Sequence, residues 1–451
     1  MNYLKISRGI LFLIPFTAVI VLPWTIFPFN VGKFVFFRAL VDLSLIFFIW
    51  AWASGKIVID HKSFIKPIAI GVAIFVAMFL LASFFAYDPL AAFWGNFERG
   101  ESGVQLLHLL IFFFLMTTLF RNENDWQKML KSILVSAFLS VLYGLFTGSV
   151  SGFIGYRFSL NDRFQGSLGN PGYMAQFMIF AVFFAIYLML GSETKFKSYW
   201  YGFLSVFFSI FLLLSQTRGA LLGFVAGISA FLIYLIIGIH KKNPKLISGL
   251  ILLLLFASLI LLINSRNLPF IKKTPVIGQI ANISLEAGTT RIWTWGIAVK
   301  GIVDRPIFGW GPENFSVGFD KYFDTRYFIP SRENRFYDTL FDRAHSVIFD
   351  YGAEIGLLGL ASYLGIFVLY YIQFYKFNKQ QKIHNLRKNS SVTGYRPLFT
   401  EAIFFSMPVA YLIAGSTIFD VLPTYIMLFV FLSFANYKLI NSDNQFNEYK
   451  N

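Results

Sequence analysis

Three ionisable residues of this sequence lie where they could act on a substrate at a membrane surface. Arg218 lies in a short stretch between two apolar runs, whereas Arg291 and His345 lie in a hydrophilic stretch of about 80 residues from Ser265 to His345. Ionisable groups close to a membrane usually either extend their charge into water or serve a function. Arginines in these places would attract an acidic or phosphorylated substrate.

Each of the three residues also has a plainer interpretation. Arg218 could be an arginine that only positions its helix end at the interface, and Arg291 could be a solvated charge on a loop helix. His345, which follows Arg343 by two positions, could be a structural or exposed histidine. The residue types taken one by one do not decide between these interpretations.

Two further arginines are weaker candidates for contacts with the substrate. Arg99 lies in a stretch with Asp88 and Gly95, and Arg163 lies in a stretch with Asn170, so both stretches also suit ordinary turns. Each of these arginines adds a cation to the same predicted face as Arg218. We therefore predict Arg99 and Arg163 as substrate-binding residues of secondary importance.

Motifs for metals and nucleotides are missing from the sequence. It has no Asp-x-Asp pair, no histidine-rich ligand set, no Walker-type phosphate loop and no Gly-x-Ser-x-Gly elbow. We expect chemistry without a metal or a cofactor, driven by an activated donor that resides in the membrane rather than by ATP. The absence of cysteine excludes disulfides and thiol chemistry.

The composition is that of a helical membrane protein. Of 451 residues 57% are hydrophobic, and the mean hydropathy is +0.64, which is too apolar for a protein surrounded by water. Apolar runs of about 20 residues suit helices that cross roughly 30 Å of hydrocarbon, and a barrel would instead show short alternating strands. The net charge of +15 is divided among short clusters between these runs, so it indicates topology rather than nucleic-acid binding.

The apolar runs predict an all-α fold with about twelve transmembrane helices. The first run follows Lys5 and Arg8 and lacks a clear cleavage site, so we interpret it as a retained span rather than a signal peptide. The predicted spans are residues 9–29, 34–53, 64–86, 103–120, 129–149, 171–191, 198–215, 218–238, 246–264, 346–375, 398–418 and 421–440.

An even number of spans places both termini on one side, and the distribution of lysine and arginine predicts that this side is the cytoplasm. The chain then divides into helices 1–9 in residues 1–264, a large outward loop at 265–345, helices 10–12 in 346–440 and a cytoplasmic tail at 441–451. Loops of cytoplasmic parity carry Lys56, Lys62, Lys66, Arg121, Lys128, Lys131, Lys195, Lys197, Lys241, Lys242, Lys245, Lys376, Lys379, Lys382, Arg387 and Lys388; those of outward parity carry Lys33, Arg38, Arg99, Arg157, Arg163 and Arg218.

The outward loop is predicted to be folded, because loops of this length are usually functional or disordered and this one is rich in apolar residues. Residues 293–303 have the pattern of an amphipathic helix that has Thr289 or Thr290 as its N-cap and ends before Pro306. Its tryptophans suit the membrane interface. The aromatic residues between positions 315 and 341 suggest a lid packed on the bundle.

Several pieces of this chain, in this order, resemble the O-antigen ligase and polymerase superfamily. The resemblance covers nearly the whole chain and includes the large outward loop. Ser346 stands where the family often has asparagine after the histidine, so no role is carried over to that amide. The matching pieces are residues 88–103 and 166–172, residues 215–223 with Arg218, Arg291 with Trp295 and Ala298, residues 306–311 with Phe315, and His345 followed by Glu354, Gly356 and Gly359.

This resemblance implies transfer of a glycan from a polyprenyl pyrophosphate to an acceptor at the outer leaflet. The acceptor is the lipid A core for ligases, a growing glycan for polymerases and a protein hydroxyl for O-oligosaccharyltransferases. Because the donor is anionic, arginines belong at its pyrophosphate. The acceptor hydroxyl must lose a proton, and a histidine that titrates near neutral pH suits a general base.

We therefore predict an O-antigen ligase-like, metal-independent and inverting glycosyltransferase that uses undecaprenyl pyrophosphate-linked glycan. The resemblance assigns Arg218 and Arg291 to the pyrophosphate and His345 to the acceptor as catalytic residues, with Arg99 and Arg163 as binding residues. The expected partners are the lipid-linked donor, a glycan, lipid A core or protein acceptor and membrane lipids, without nucleic acid. The expected location is the bacterial inner membrane.

Two alternatives to a ligase stay open on the sequence. A polysaccharide polymerase or a protein O-oligosaccharyltransferase of the same superfamily would share the same motifs. A transporter or flippase would use the same basic face without making bonds, and it would favour charged residues near the centres of spans. Asp42 and Asp350 are the nearest examples in this sequence.

Overall fold

The structure is a computed structural model of the chain, and it describes residues 2–96, 98–146, 162–274, 276–281, 285–323, 341–387 and 396–447. Arg157 and Lys388, which contribute to the predicted topology, lie outside the described residues. The same holds for residues 324–340 of the predicted aromatic lid.

The described residues form helices and no strand, which confirms the predicted all-α membrane fold. Within the described ranges, ten helices are long and apolar enough to cross a membrane: α2, α3, α6 to α10, and parts of α15 to α17. The helices are α1 (Tyr3–Leu11), α2 (Val31–Ala53), α3 (Pro67–Phe84), α4 (Pro89–Trp94), α5 (Gly103–Leu119), α6 (Glu123–Phe146), α7 (Pro171–Gly191), α8 (Lys195–Leu214), α9 (Arg218–Gly238), α10 (Lys242–Asn264), α11 (Pro269–Lys273), α12 (Ile277–Ala281), α13 (Leu285–Asp304), α14 (Phe315–Tyr322), α15 (Val347–Arg387), α16 (Arg396–Gly415) and α17 (Leu422–Asn447).

Two predicted spans differ from the structure. The predicted first span, residues 9–29, is wrong as one continuous helix, because α1 ends at Leu11 and a 3-10 helix, Ile14–Val19, with proline near its start follows it. These two pieces run antiparallel to α2, since the ring of Tyr3 stacks on Trp50 at 5.1 Å at one end and Lys33 donates to the Ile20 carbonyl at 2.7 Å at the other. The predicted span 103–120 is α5, which is shorter than the other spans.

Helices α7 and α17 form the centre of the bundle. In their most apolar stretches 78% and 89% of the residues are buried inside the protein, whereas in that of α10, at the periphery, only 6% are buried. Tyrosine hydroxyls bond one another in this centre, because buried polar groups in a membrane need partners inside the protein. Tyr363 donates to Tyr411 at 3.0 Å, and Tyr411 donates to the Asp420 carboxylate at the start of α17. This network lies directly beneath the loop that precedes α17.

Glycines let α9 approach α16 closely. A Cβ atom on Gly219 would lie 1.6 Å from the Thr417 hydroxyl, and one on Gly223 would lie 2.5 Å from the Ala410 carbonyl. Small residues at helix contacts are the usual means of tight packing in membranes. The glycines that follow Arg218 in the sequence therefore fix the position of the helix that carries this arginine.

Helix α15 is broken at Gly356, which has a φ of 70°. The turn at residues 306–311 packs into this break through main-chain hydrogen bonds: Trp310 N donates to Ala353 O at 2.9 Å, and Leu357 N donates to Pro306 O at 2.8 Å. A Cβ atom on Gly356 would lie 2.2 Å from the Ile307 carbonyl, so only glycine fits there. Residues 306–311 and the stretch around Gly356 both belong to the pieces that resemble the superfamily, and in the structure their backbones contact each other.

The loops gather at two ends of the bundle. At one end, called here the site end, lie residues 95–96, 98–102, 162–170, 215–218, 305–314, 341–346 and 416–421. Arg163 of this end donates to the Thr217 hydroxyl at 3.0 Å, and Val347 N donates to Ile418 O at 3.2 Å. At the opposite end, Arg121 donates to the Val58 carbonyl at 2.5 Å. The candidate residues of the sequence all lie at or next to the site end.

Candidate functional site

Arg218 is the first residue of α9 and follows a tight turn, Ser215 to Thr217. Gln216 in this turn has a φ of 53°, and its side-chain amide donates to the Asp162 carbonyl at 3.1 Å. Arg163 donates from Nε to the Ser215 carbonyl at 3.3 Å and from Nη2 to the Thr217 hydroxyl. The turn therefore holds Arg163 and Arg218 next to each other at the mouth of the bundle.

Arg291 lies on α13, in the large loop. This helix begins at Leu285, so the predicted N-cap at Thr289 or Thr290 is wrong, while the predicted end before Pro306 is correct. Arg291 and Trp295 are four residues apart and share one helix face. The indole of Trp295 donates to the Ala344 carbonyl at 3.0 Å, which brings the face with Arg291 to the segment that carries His345.

The described part of the loop has an apolar core of its own. The ring of Trp293 contacts the rings of Phe319 at 5.7 Å and Phe341 at 6.4 Å, both edge-on. Trp295 stacks on Phe349 at 5.1 Å. The tryptophans that were predicted for the membrane interface thus pack within the protein, where they hold α13 against the start of α15.

Arg163, Arg218 and Arg291 form what we call the basic group. Partial desolvation lowers the pKa of Arg163, and the charges of Arg291 and Arg218 lower it further. The pKa of Arg291 is lowered by partial desolvation and then by the charge of Arg218. Because guanidinium groups stay protonated in proteins, this mutual repulsion is an energetic cost that a bound anion would relieve. Arg163 and Arg291 keep exposed surface, so an anion can reach them.

His345 lies between Arg343 and α15 in a left-handed backbone conformation, with a φ of 60°. This conformation is uncommon for a residue other than glycine. The carboxylate of Asp350 accepts hydrogen bonds from the amides on either side, Ala344 N at 2.5 Å and Ser346 N at 3.2 Å. Asp350, which the sequence analysis noted only as a charge near a span, therefore holds the backbone of the candidate base.

The ring of His345 is oriented by its neighbours. It packs edge-on against Phe341 at 5.9 Å and Phe419 at 5.2 Å, and Nδ1 lies 3.0 Å from the Arg343 carbonyl. A carbonyl can only accept, so Nδ1 carries the proton of the neutral ring and Nε2 carries the lone pair. Nε2 is then the atom that can remove a proton from a substrate.

The surroundings favour the neutral form of His345. Desolvation lowers the pKa of His345 below its ordinary value of 6.5, and the charges of Arg291 and Arg99 lower it further, against the raising effects of the Arg343 carbonyl and Asp342. A neutral histidine is the form that acts as a general base. The effect of Arg291 on this pKa agrees with its place on the face of α13 that Trp295 joins to the Ala344 carbonyl, next to His345.

Arg99 lies on the other side of His345. Its Nη1 is 2.7 Å from the Asp342 carboxylate, and its guanidinium lies 4.6 Å from the centre of the Phe419 ring that also contacts His345. The structure thus separates the two secondary predictions. Arg163 joins the basic group, whereas Arg99 packs beside the histidine and pairs with a carboxylate.

A buried ionic cluster that was not predicted from the sequence lies next to His345 along the chain. Arg343 lies among three carboxylates, with Nη2 at 3.1 Å from Glu101 and 3.5 Å from Glu313, and with Nη1 bonded to Glu354. We call these four residues the glutamate cluster. The only signals in the sequence were Glu354 in the resemblance and Arg343 as a neighbour of His345; nothing local connects the three glutamates.

The fold and the site define a multi-pass helical membrane protein in which the basic group lies near a histidine whose Nε2 carries the lone pair. Residues 203–364 match a family model described as O-antigen ligase. This match over residues 203–364 supports the predicted resemblance to the O-antigen ligase superfamily, and it supports glycan transfer in a bacterial inner membrane as the general activity. It includes Arg218, Arg291 and His345, whereas Arg99 and Arg163 precede it. A comparison with curated proteins finds no match.

Proposed function

We propose that the protein transfers a glycan from undecaprenyl pyrophosphate to an acceptor hydroxyl at the outer face of the membrane. The observation that carries this proposal is the placement of Arg291, a member of the basic group, next to a histidine whose Nε2 carries the lone pair. A reaction that needs this pair of features releases an anionic leaving group and removes a proton from an attacking group.

In the proposed step, the acceptor oxygen attacks the anomeric carbon of the donor while His345 Nε2 takes the hydroxyl proton. The bond between the anomeric carbon and the pyrophosphate oxygen breaks, and its electron pair leaves with undecaprenyl pyrophosphate. Arg218 and Arg291 stabilise the charge that grows on this leaving group, which is usually worth several kcal/mol in a preorganised site. Direct displacement inverts the anomeric configuration.

The proposed orientation places the site end outside the cytoplasm. Loops at the opposite end carry most of the lysines and arginines, including Arg121 and the run from Lys241 to Lys245, and such loops stay in the cytoplasm. Both termini are then cytoplasmic, and residues 265–345 form the outward loop between helices of residues 1–264 and 346–440. The lipid-linked donor would enter from the outer leaflet.

A transporter lacks support from the two carboxylates that the sequence analysis noted for it. Asp42 in α2 pairs with the Nε2 atom of His108 at 3.2 Å, and Asp350 holds the backbone on both sides of His345. Both carboxylates thus have partners within the protein. A glycosyltransferase gives both His345 and the basic group a role, and it needs no charged residue that acts in transport across the membrane.

The proposal is tested with the purified protein in proteoliposomes that contain an undecaprenyl pyrophosphate-linked oligosaccharide. Lipid A core, a second copy of the glycan and a serine-containing peptide are offered as acceptors, and mass spectrometry identifies which one gains the glycan. His345→Ala should lower the rate by about 10²- to 10⁴-fold, as for the loss of a general base, while donor binding is retained. Full activity of His345→Ala, or glycan that crosses the bilayer without a new linkage, would contradict the proposal.

A further inference from the structure

The glutamate cluster is almost completely shielded from water. The side chain of Arg343 is 6% exposed, and those of Glu101, Glu313 and Glu354 are 6%, 4% and 1% exposed. Buried charges are costly unless they are paired and hydrogen-bonded. The three carboxyl groups share one partner, the guanidinium of Arg343.

The three carboxylates come from distant parts of the chain and are bonded to one another's backbone. Glu313 Oε1 accepts from Glu101 N at 3.1 Å, and Glu354 Oε1 accepts from Glu313 N at 3.1 Å. Glu313 Oε2 also accepts from the Asn96 side chain at 2.6 Å. The cluster thus ties the loop before α5, the turn after α13 and the first part of α15 to a single guanidinium.

The same residue controls the ring of His345 through its backbone. The Arg343 carbonyl accepts from His345 Nδ1 at 3.0 Å, so the position of the Arg343 backbone determines which nitrogen of the ring keeps the proton. The contacts that hold this short segment include the side chain of Arg343 in the cluster and the Asp350 carboxylate on the amides around His345. Trp295 also donates to the Ala344 carbonyl, and Arg99 pairs with Asp342. Removing the Arg343 side chain takes away the support of the backbone carbonyl that accepts from the His345 ring.

We propose that Arg343 is a positioning residue, whose guanidinium, fixed by Glu101, Glu313 and Glu354, holds the backbone carbonyl that orients His345 with Nε2 toward the acceptor. This inference rests on the proposed function of His345 as the general base. Arg343 does not itself contact the substrate. Its effect on the reaction passes through the orientation of the histidine ring, in the way that neighbouring groups orient other catalytic side chains.

The test compares Arg343→Met and Arg343→Lys with the wild-type protein in the proteoliposome transfer assay. Arg343→Met should lower kcat about 100-fold and leave the KM for the lipid-linked donor within about twofold, since an orientation error of about 1 Å costs this much. Arg343→Lys should recover part of the rate, because a lysine keeps the charge but reaches fewer of the three carboxylates. Lys321→Ala, which breaks the exposed pair with Asp304 in the same loop, is the matched control and should behave as wild type.

A second measurement does not depend on activity. Diethyl pyrocarbonate modifies neutral histidines, and peptide mass spectrometry reads the modification rate of His345 apart from the other histidines. We expect this rate to change at least threefold in Arg343→Met, in part in Arg343→Lys, and not at all in Lys321→Ala. An unchanged His345 rate in Arg343→Met and Arg343→Lys overturns the positioning role, even if both variants lose activity through instability.

The two proposals fail in different ways. If His345→Ala transfers glycan as fast as wild type, the proposed function fails, while the modification rates still report whether Arg343 orients the ring. If His345→Ala is inactive and Arg343→Met keeps the wild-type kcat and the wild-type modification rate, only the positioning role fails.

Discussion

The basic group and the glutamate cluster both contain arginine near His345, and the surroundings of these arginines are opposite. In the basic group, the charges that shift Arg163 and Arg291 are those of other arginines. In the glutamate cluster, Arg343 is surrounded by carboxylates. The first arrangement favours an incoming anion, whereas in the second the guanidinium already has carboxyl oxygens as partners and stabilises the local fold. The same side chain therefore serves binding in one place and positioning in the other, and only the surroundings distinguish them.

The largest effect is expected from the basic group. Arg218→Ala or Arg291→Ala should lower kcat by about 10²- to 10³-fold, the usual cost of removing one donor that stabilises developing charge, and should also weaken donor binding. Arg218→Lys and Arg291→Lys should also lower kcat if two parallel hydrogen bonds to the pyrophosphate are needed, because lysine is a point charge. Initial rates and donor affinity in proteoliposomes measure both effects. Wild-type rates in both alanine variants would remove the basic group from the mechanism.

A smaller effect on the rate and a larger one on stability are expected from the cluster. Glu354→Ala leaves a buried guanidinium with one partner fewer, and breaking a buried ion pair usually costs about 3–5 kcal/mol. Unfolding in detergent, followed by the exposure of buried tryptophan, measures this loss. Glu354→Gln keeps the acceptor for Glu313 N and should lower the free energy of unfolding by less. Asp304→Ala, which breaks the exposed pair with Lys321, should leave this free energy almost unchanged. Equal stability of Glu354→Ala and Asp304→Ala would show that the cluster does not hold the loop.

The smallest effect is a change in the pH profile. Burial raises the pKa of Glu101 to about 8, against the lowering effects of Arg343 and Arg99 and with raising effects of Glu313 and Asp420. A raised pKa means that Glu101 holds a proton below about pH 8 and loses it above. The wild-type rate should then fall about two- to threefold above this pH, as the added negative charge loosens the cluster. Glu101→Gln should match the wild type at pH 7 and lack the alkaline decline, which transfer rates between pH 6 and 9 would reveal.

The helices were predictable because apolar length is a local property of the sequence. Runs of about 20 apolar residues gave α7, α8 and α9 nearly as they are, since the membrane imposes that length. The prediction of one continuous helix for the first span was wrong because it counted apolar residues only. Pro15 interrupts regular α-helix in this stretch. The N-cap at Thr289 or Thr290 was wrong because α13 continues back to Leu285, and threonine within a helix gives the same local signal as a cap.

The site was predictable only in part. Arg218, Arg291 and His345 were singled out by the order of motifs and by their outward positions, and the structure brings them into one region. The glutamate cluster was not predictable, because Glu101, Glu313 and Glu354 are far apart in sequence and converge only where two loops pack against the first part of α15. The left-handed backbone at His345 has no signal either, since it depends on Asp350, five residues later.

The contact between the turn at residues 306–311 and the break in α15 has a consequence for how such chains can diverge. Its hydrogen bonds join main-chain atoms only, at Trp310, Ala353, Leu357 and Pro306, so exchange of the surrounding side chains leaves the bonds in place. The glycine at position 356 cannot be exchanged, because any Cβ there meets the Ile307 carbonyl. Distant relatives should therefore keep this glycine while varying the aromatic residues around it, which makes it a better landmark for aligning them than the charged residues.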